Sequence, residues 1–160
     1  MDFSSWLDQY SDTFMNEALS HASSSRLAGE VPVGAVIVDE GVIVAAAGNC
    51  RETNNDPTGH AEVLAIQSAA KVKGNWRLST CDLYVTLEPC LMCAGAIINS
   101  RIRGVYFGAF DPKAGALLSL FGIGNDPRLN HEFHRSGGHL AQPSTELLKD
   151  FFQERRIQPD

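Results

Sequence analysis

The sequence predicts an α/β fold in which helices cover a mixed β-sheet. Two observations support this fold class: an apolar β-hairpin in the N-terminal part, and helices and strands that alternate after it. The chain has 160 residues, of which 44% are apolar and 20% are charged, as is usual for a globular protein with a substantial core. No repeat or linker interrupts it, so we expect one domain over residues 1–160.

The first predicted element is a helix. Apolar side chains between residues 14 and 22 recur at the spacing of one helix face. Asp12 stands where an N-cap is expected, and Gly29 follows the last turn, where glycine commonly ends a helix.

A hairpin and a loop are predicted next. Residues 33–38 and 43–47 are apolar and contain many β-branched side chains, and the Glu40-Gly41 pair between them suits a tight turn. Residues 48–59 are polar and rich in turn-forming residues, so we expect a loop there.

A helix, a strand and a second helix are predicted in the centre of the chain. Residues 60–71 have a helical pattern that ends before Gly74, and residues 83–87 form a short apolar strand. Pro89 favours the start of a helix over residues 90–99, because proline suits the first helical turn.

The C-terminal part is predicted to contain a short strand over residues 105–107, a loop-rich stretch and a final helix. Residues 131–139 are also loop-like, and their three irregularly spaced histidines suggest surface side chains rather than a second metal site. Residues 144–156 form an amphipathic helix. Its predicted inner face consists of Leu147, Leu148, Phe151 and Phe152.

The charge distribution restricts where an anionic partner can bind. The formal net charge of −6 argues against a generally basic, nucleic-acid-binding surface. Residues 1–100 contain five basic and twelve acidic residues, whereas residues 101–160 contain eight and seven. Any surface that contacts phosphate is therefore expected in the C-terminal part, where Arg155 and Arg156 end the last helix as a pair.

The sequence predicts a cytoplasmic protein that does not enter a membrane. No apolar run approaches the roughly 20 residues that span a bilayer, and the first residues lack the basic and apolar regions of a secretory signal. The four cysteines are Cys50, Cys81, Cys90 and Cys93. In such a chain a close cysteine pair indicates metal or redox chemistry rather than disulfides.

Two segments carry residues suited to metal chemistry: His60-Ala61-Glu62 and Pro89-Cys90-Leu91-Met92-Cys93. Each is predicted to lie at the first turn of a helix, where the helix dipole favours thiolates. One imidazole and two thiolates fill three corners of a tetrahedral zinc site and leave the fourth corner for water, as in catalytic rather than structural sites. His60, Cys90 and Cys93 are therefore the predicted ligands of Zn²⁺.

Glu62 is the predicted catalytic acid and base. Zinc lowers the pKa of its water towards neutrality, and a second group must still carry the proton to the substrate. A regular helix directs side chains two residues apart to different sides, so Glu62 reaches the water only if the metal lies over the helix end. A Cys-x-x-Cys pair alone is also compatible with redox or structural roles, but the combined segments are typical of zinc-dependent nucleobase deaminases.

Further segments resemble the family of bacterial tRNA-specific adenosine deaminases, which convert the wobble adenosine of an anticodon to inosine. The similarity extends from about residue 14 to residue 156, and residues 1–12 are interpreted as an N-terminal extension. The segments that carry it are residues 30–36, 56–62, 84–96, 107–116, 126–131 and 151–156.

This resemblance implies a three-layer α/β/α sandwich with a mixed five-stranded sheet, of the cytidine deaminase-like type. It implies zinc held by His60, Cys90 and Cys93, and Glu62 as the proton shuttle. It also implies a tRNA anticodon loop as the partner and a homodimer, which the apolar residues 94–98 would suit.

The resemblance gives Asn49 and Asp111 substrate-binding roles. Asn49 resembles an asparagine that contacts the base, and its amide offers both a donor and an acceptor to a purine. Asp111 falls in a loop near the sugar and the flanking nucleotides. From the sequence alone, both residues also suit ordinary turns, Asn49 after Gly48 and Asp111 before Pro112.

Two alternative functions share part of this pattern. A deaminase of a free base or nucleoside, such as guanine or cytidine, has the same metal site with a different pocket rim. A zinc-stabilised binding module without activity would need a fourth protein ligand, for which Cys50, Cys81 or a C-terminal histidine is available.

Overall fold

The computed structural model describes the backbone of residues 3–157 and the side chains of residues 11–157. These residues form four helices and five strands. They are α1 (Phe3–Leu27), β1 (Gly34–Asp39), β2 (Val42–Gly48), α2 (Ala61–Lys73), β3 (Cys81–Leu87), α3 (Leu91–Ser100), β4 (Gly104–Ala109), β5 (His134–Gly137) and α4 (Ala141–Ile157). None of the helices is both long and apolar enough to cross a membrane, as far as the described residues go.

The five strands form one mixed sheet in the order β2-β1-β3-β4-β5. Strand β1 pairs antiparallel with β2 and with β3, whereas β3, β4 and β5 run parallel. Glu40 and Gly41 both have positive φ angles, of 49° and 82°, as the central residues of a tight hairpin turn require. The mixed five-stranded sheet implied by the family resemblance is confirmed.

Each face of the sheet is covered by a pair of helices. Along β1, Ala35 and Ile37 belong to the larger apolar cluster, which includes residues of α2 and α3. Val36 and Val38 belong to the smaller cluster, which includes residues of α1. A side chain at Gly34 would overlap the backbone of α1, so glycine is required for this close packing. The structure is thus the predicted three-layer α/β/α sandwich.

The strand directions bring several loops to one edge of the sheet. The carboxyl ends of β3 and β4 lie at this edge because the two strands are parallel. The start of β1 and the end of β2 lie there too, because each pairs antiparallel with its neighbour. Asn49, Glu88 and Asp111 all follow strands that end at this edge, which places the predicted site residues close together.

The predicted start of the first helix was wrong. Asp12 is not an N-cap, because α1 begins at Phe3 and continues through Asp12 without interruption. No proline or glycine occurs between residues 3 and 12 to stop the helix earlier. The predicted extension, residues 1–12, falls largely outside the residues whose side chains are described, so its interpretation as an extension stays a prediction.

Two expectations about the C-terminal part were also wrong. The predicted loop over residues 131–139 contains strand β5, which pairs with β4 from Gly104–His134 to Phe107–Gly137. Helix α4 begins at Ala141 and buries Phe151, but Phe152 remains 46% exposed and does not face the core. Its ring instead lines a groove.

Candidate metal centre and active site

The imidazole and one thiol of the predicted zinc site lie at helix N-termini. His60 is the N-cap of α2 and Cys90 is the N-cap of α3, both with extended backbone angles. Neither side chain forms a hydrogen bond that caps its own helix. Both groups are therefore free to point across the gap between the two helices.

Cys93 completes the group from the first turn of α3. Its Sγ atom lies 3.5 Å from Nδ1 of His60, and Sγ of Cys90 lies 3.6 Å from the same atom. The three potential ligand atoms all lie within 4.8 Å of one another. No other His, Cys, Asp or Glu joins this group among residues 11–157. The fourth protein ligand that a purely structural zinc site needs is therefore not supplied by the described side chains.

The electrostatics of the group favour metal binding by thiolates. Hydrogen bonds from the Cys93 thiol and, to a smaller extent, the His60 ring outweigh burial and together lower the pKa of Cys90 to about 3. The hydrogen bond between the two cysteines and burial raise the pKa of Cys93, and the bond to Cys90 raises the pKa of His60. One thiolate is thus present before a metal arrives. Two thiols and an imidazole are the donor set that suits Zn²⁺, so the residues present fit that ion.

Glu62 lies beside this group at the start of α2. Its side chain is only 4% exposed, and burial raises the pKa of its carboxyl. The Cys93 thiol is a hydrogen-bonding neighbour that lowers the pKa of Glu62 again in part. Glu62 is not a member of the three-ligand group. A carboxyl that is buried, unligated and easily protonated has the properties of a general acid and base.

A cavity of about 150 Å³ opens over the group. A cavity of this size holds one aromatic ring. It brings together five of the six predicted site residues, since only the buried Cys93 does not line it. The lining residues are Val31, Val33, Asn49, Arg51, His60, Ala61, Glu62, Leu87, Glu88, Cys90, Asp111 and Ala114.

Asn49 lines this cavity and also holds its wall together. Its Nδ2 atom donates to the carbonyl of Val31, and its Oδ1 atom accepts from the amide of Arg51. An amide side chain has two N–H donors and two acceptor lone pairs, so one donor and one acceptor remain after these bonds. The turn role and the base-contacting role considered from the sequence are therefore compatible in this structure.

Asp111 similarly combines a turn with a position at the cavity. Its Oδ1 atom accepts hydrogen bonds from the amides of Lys113 and Ala114, which is the turn suggested by the Asp-Pro sequence. The residue is half-buried and lines both the cavity and the groove beside it.

Sequence reasoning missed two buried carboxylates that organise the site loops. Glu30 accepts hydrogen bonds from the amides of Glu52 and Thr53 and from the Thr53 hydroxyl. Glu88 accepts from the amides of Asp111, Leu117, Leu118 and Ser119 and from the Ser119 hydroxyl. No single-sequence signal marks these residues, because most of their partners are backbone amides.

The same hydrogen bonds keep these two carboxylates ionised. Burial raises the pKa of each carboxyl, but the hydrogen bonds outweigh it, and the pKa of both Glu30 and Glu88 lies below its ordinary value. Gly115 is required beside Glu88, because a Cβ atom there would overlap the carboxylate.

A groove of about 800 Å³ adjoins the cavity and shares Val31, Leu87 and Asp111 with it. Three basic side chains line it, from Lys113, Lys149 and Arg156. The rings of Phe110 and Phe152 line it as well and are 50% and 46% exposed. Basic groups next to exposed aromatic rings are the combination that binds single-stranded nucleic acid.

The two arginines that end α4 have different surroundings. Arg156 lines the groove. Arg155 donates to the carbonyl of Gly29 and lies 4.7 Å from the Phe151 ring centroid, so it connects α4 to the segment after α1.

Trp76 does not line the groove or the cavity, and Arg77 lies 4.2 Å from its ring centroid.

Comparison with known proteins identifies relatives of this chain. The family model of the cytidine and deoxycytidylate deaminase zinc-binding region matches residues 8–109. The tRNA-specific adenosine deaminase of Bacillus subtilis is 46% identical over 91% of this chain and 90% of its own length. The Haemophilus influenzae protein of the same name is 43% identical over 98% of this chain and 91% of its own length.

Solved structures give the same relationship. A structure from a study of A-to-I editing by tRNA:A34 deaminases at the wobble position of transfer RNA matches with a TM-score of 0.82 and 44% identity. The match covers 85% of this chain and 99% of that one. A guanine deaminase from Bacillus subtilis matches less closely, with a TM-score of 0.60 and 35% identity over 92% of this chain and 95% of that one.

Proposed function

The chain belongs to the family of tRNA-specific adenosine deaminases, and from that premise we propose that it converts adenosine to inosine by hydrolysis at the wobble position of tRNA. One observation carries the proposal. The His60–Cys90–Cys93 group, the unligated acid Glu62 and the purine-compatible amide of Asn49 all lie in or directly beneath one ring-sized cavity.

His60, Cys90 and Cys93 would hold the zinc ion. When bound there, zinc supplies a Lewis acid that makes water an effective nucleophile near neutral pH. Glu62 takes one proton from the attacking water and delivers it to the purine ring nitrogen. It then carries the second proton, from the hydroxyl formed at C6, to the amino group, whose bond to C6 breaks as ammonia leaves. The burial that raises the pKa of Glu62 moves it towards neutral pH, where a carboxyl can both accept and release a proton during the reaction.

Asn49 orients the base in the cavity. The donor and the acceptor left over on its amide can pair with the edge of a purine, while its bonds to Val31 and Arg51 fix the side chain. Asp111, at the boundary of cavity and groove, faces the sugar of the target nucleotide. The small cavity therefore takes the base, and the larger groove remains for the neighbouring nucleotides.

The groove supports a nucleic-acid substrate rather than a free base. Lys113, Lys149 and Arg156 bring positive charge to a protein whose net charge is −6. The exposed rings of Phe110 and Phe152 offer stacking surfaces for unpaired bases. An anticodon loop presents such bases without the cost of opening a duplex.

We also propose that the protein acts as a homodimer in the cytoplasm. Exposed apolar side chains occur at the start of α3 and in the loop held by Glu88: Leu91, Leu118, Leu120 and Phe121. Within the predicted interface segment, residues 94–98, Ala94 and Ile97 are buried in the core. The dimer surface therefore uses the outer face of α3 and the adjoining loop. Sedimentation of the purified protein tests this assembly.

The central experiment uses a synthetic anticodon stem-loop with adenosine at the wobble position, and the product is analysed for inosine. A stem-loop with cytidine at that position and free guanine serve as competing substrates. Inosine formation with neither competitor consumed is the expected result. Rapid deamination of free guanine with an unchanged stem-loop would instead assign the chain the activity named for its 35% identical structural relative.

A further inference from the structure

We propose that Glu30 and Glu88 are positioning residues that set the two walls of the substrate cavity, Glu30 through the Asn49 loop and Glu88 through the Asp111 loop. The inference rests on the proposed function, because it assigns these walls to substrate binding. Neither residue belongs to the three-membered ligand group. Each acts on the reaction through the loop that it holds.

Both carboxylates are unusual in their surroundings. Glu30 is 1% exposed and Glu88 is 2% exposed, yet neither forms an ion pair with any residue whose side chain the structure describes. A buried carboxylate without a cationic partner is unfavourable unless hydrogen bonds replace its water. Here all these hydrogen bonds come from loop residues.

Glu30 holds the loop between β2 and α2. Its donors are the amides of Glu52 and Thr53 and the Thr53 hydroxyl. This loop begins with Asn49 and leads to His60 at the start of α2. Because the carboxylate is satisfied only when the loop approaches it, the loop that carries Asn49 is kept in one position.

Glu88 holds the loop between β4 and β5 in the same way. Its Oε1 atom accepts from the Asp111 amide and the Ser119 hydroxyl, and its Oε2 atom accepts from the amides of Leu117, Leu118 and Ser119. Glu88 also lines the cavity and immediately precedes Pro89. It thus connects the start of the Cys90–Cys93 segment to the loop that carries Asp111.

Substitution of each glutamate by glutamine tests the two loops separately. In Glu88→Gln, an NH₂ group at the Oε2 position faces three backbone amides, and at the Oε1 position it faces the Asp111 amide while the Ser119 hydroxyl can rotate to accept from it. In Glu30→Gln, the amide can place its NH₂ group against the single donor from Glu52. The exposed Glu132 provides a matched control, because Glu132→Gln removes the same charge elsewhere.

The first test is amide hydrogen exchange. We expect Glu88→Gln to speed exchange in residues 111–119 and not in residues 50–58, and Glu30→Gln to do the reverse. Should Glu88→Gln fail to fold, Ser119→Ala removes one donor only, and Thr53→Ala is its counterpart for Glu30. Faster exchange in both loops with either variant, or unchanged exchange in both, would refute the proposal whatever the substrate of the protein.

The second test is a set of four double-mutant cycles, two matched and two crossed, measured as kcat/KM on the stem-loop. In the matched cycles, the loss of kcat/KM in the double mutant should be smaller than the product of the two single losses by about 5-fold or more. The matched cycles are Glu88→Gln with Asp111→Ala, and Glu30→Gln with Asn49→Ala. The crossed combinations, Glu88→Gln with Asn49→Ala and Glu30→Gln with Asp111→Ala, should be multiplicative. A general loss of stability would affect matched and crossed cycles alike. Multiplicative effects in all four cycles would overturn the positioning role.

Parent activity on the stem-loop separates the two conclusions. If the parent protein forms no inosine, the proposed function fails, and hydrogen exchange still decides whether each carboxylate holds its own loop. If the parent is active and the matched pairs are multiplicative, only the positioning role fails.

Discussion

Sγ of Cys93 lies 3.5 Å from Nδ1 of His60, although 33 residues separate the two in sequence. The contact exists because α2 and α3 begin at the same edge of the sheet and present their N-termini to each other. In this group two thiols and an imidazole lie close together and lose part of their hydration. A cation that binds all three groups therefore stabilises the packing of α2 against α3.

We expect zinc removal and Cys90→Ser to lower stability as well as activity. Loss of a ligand leaves the other two groups clustered without their cation, and a melting temperature about 5 °C lower or more is expected for a chain of this size. Calorimetry with and without a chelator measures the change. Cys50→Ser is the control, since Cys50 is not in the ligand group and should leave zinc content unchanged. Equal melting of Cys90→Ser and the parent would contradict the prediction.

Glu62→Gln should abolish most turnover and retain zinc. The amide keeps the size of the buried side chain but cannot accept and release the proton, which is worth about 10²-fold to 10⁴-fold in kcat. Stem-loop kinetics and metal analysis of the same preparation measure both properties. The control is Glu132→Gln at an exposed position, which should behave as the parent. A variant that loses zinc in proportion to its activity would instead make Glu62 a residue required for metal binding.

Much of the fold and the metal ligands could be predicted because their signals are local in sequence. Pro89 marked the start of α3, which begins at Leu91 with Cys90 as its N-cap. Gly74 marked the end of α2, where its φ angle of 63° completes the cap. The hairpin turn at Glu40 and Gly41 was predicted for the same reason.

Elements that depend on distant partners were not predictable in this way. The sequence of β5, His-Arg-Ser-Gly, contains no apolar or β-branched residue. Its strand conformation comes from pairing with β4 and from the contact between the rings of His134 and Tyr106, whose centroids are 5.6 Å apart. Glu30 and Glu88 escaped notice similarly, since their partners become visible only in three dimensions.

Asn49→Ala should reduce both activity and stability. The substitution removes the amide that faces the cavity and its two hydrogen bonds, to the Val31 carbonyl and from the Arg51 amide, at a cost of about 1 kcal/mol per bond. Denaturant unfolding and stem-loop kinetics separate the two losses. Asn54→Ala, at an exposed position of the same loop, is the control. An unchanged kcat/KM in Asn49→Ala would exclude a contact between Asn49 and the base.

The two arginines at the end of α4 should respond differently to substitution. Arg156→Ala should weaken stem-loop binding, because Arg156 lines the groove. The slope of log K against log salt concentration should become shallower by about 1, which corresponds to the loss of one phosphate contact. Arg155→Ala should instead lower thermal stability, because Arg155 connects α4 to Gly29 and stacks on Phe151. Binding isotherms at several salt concentrations and melting curves test the pair. The reverse assignment of effects would place the RNA on the other side of α4.

The stabilising effect of Glu30 should disappear in acid. The pKa of its folded carboxyl lies below the ordinary value of 4.5, so the ionised form is favoured by folding. Its contribution is therefore fully present above about pH 4.5 and is lost as pH falls through the lower, folded pKa. At pH 7, Glu30→Gln should be less stable than the parent by about 2 kcal/mol, and the difference should shrink below pH 4.5. Urea unfolding of both proteins between pH 3 and pH 7 measures it. Glu88 is present in both proteins and cancels in the comparison, so a difference that stays constant with pH would show that Glu30 acts through packing rather than through its charge.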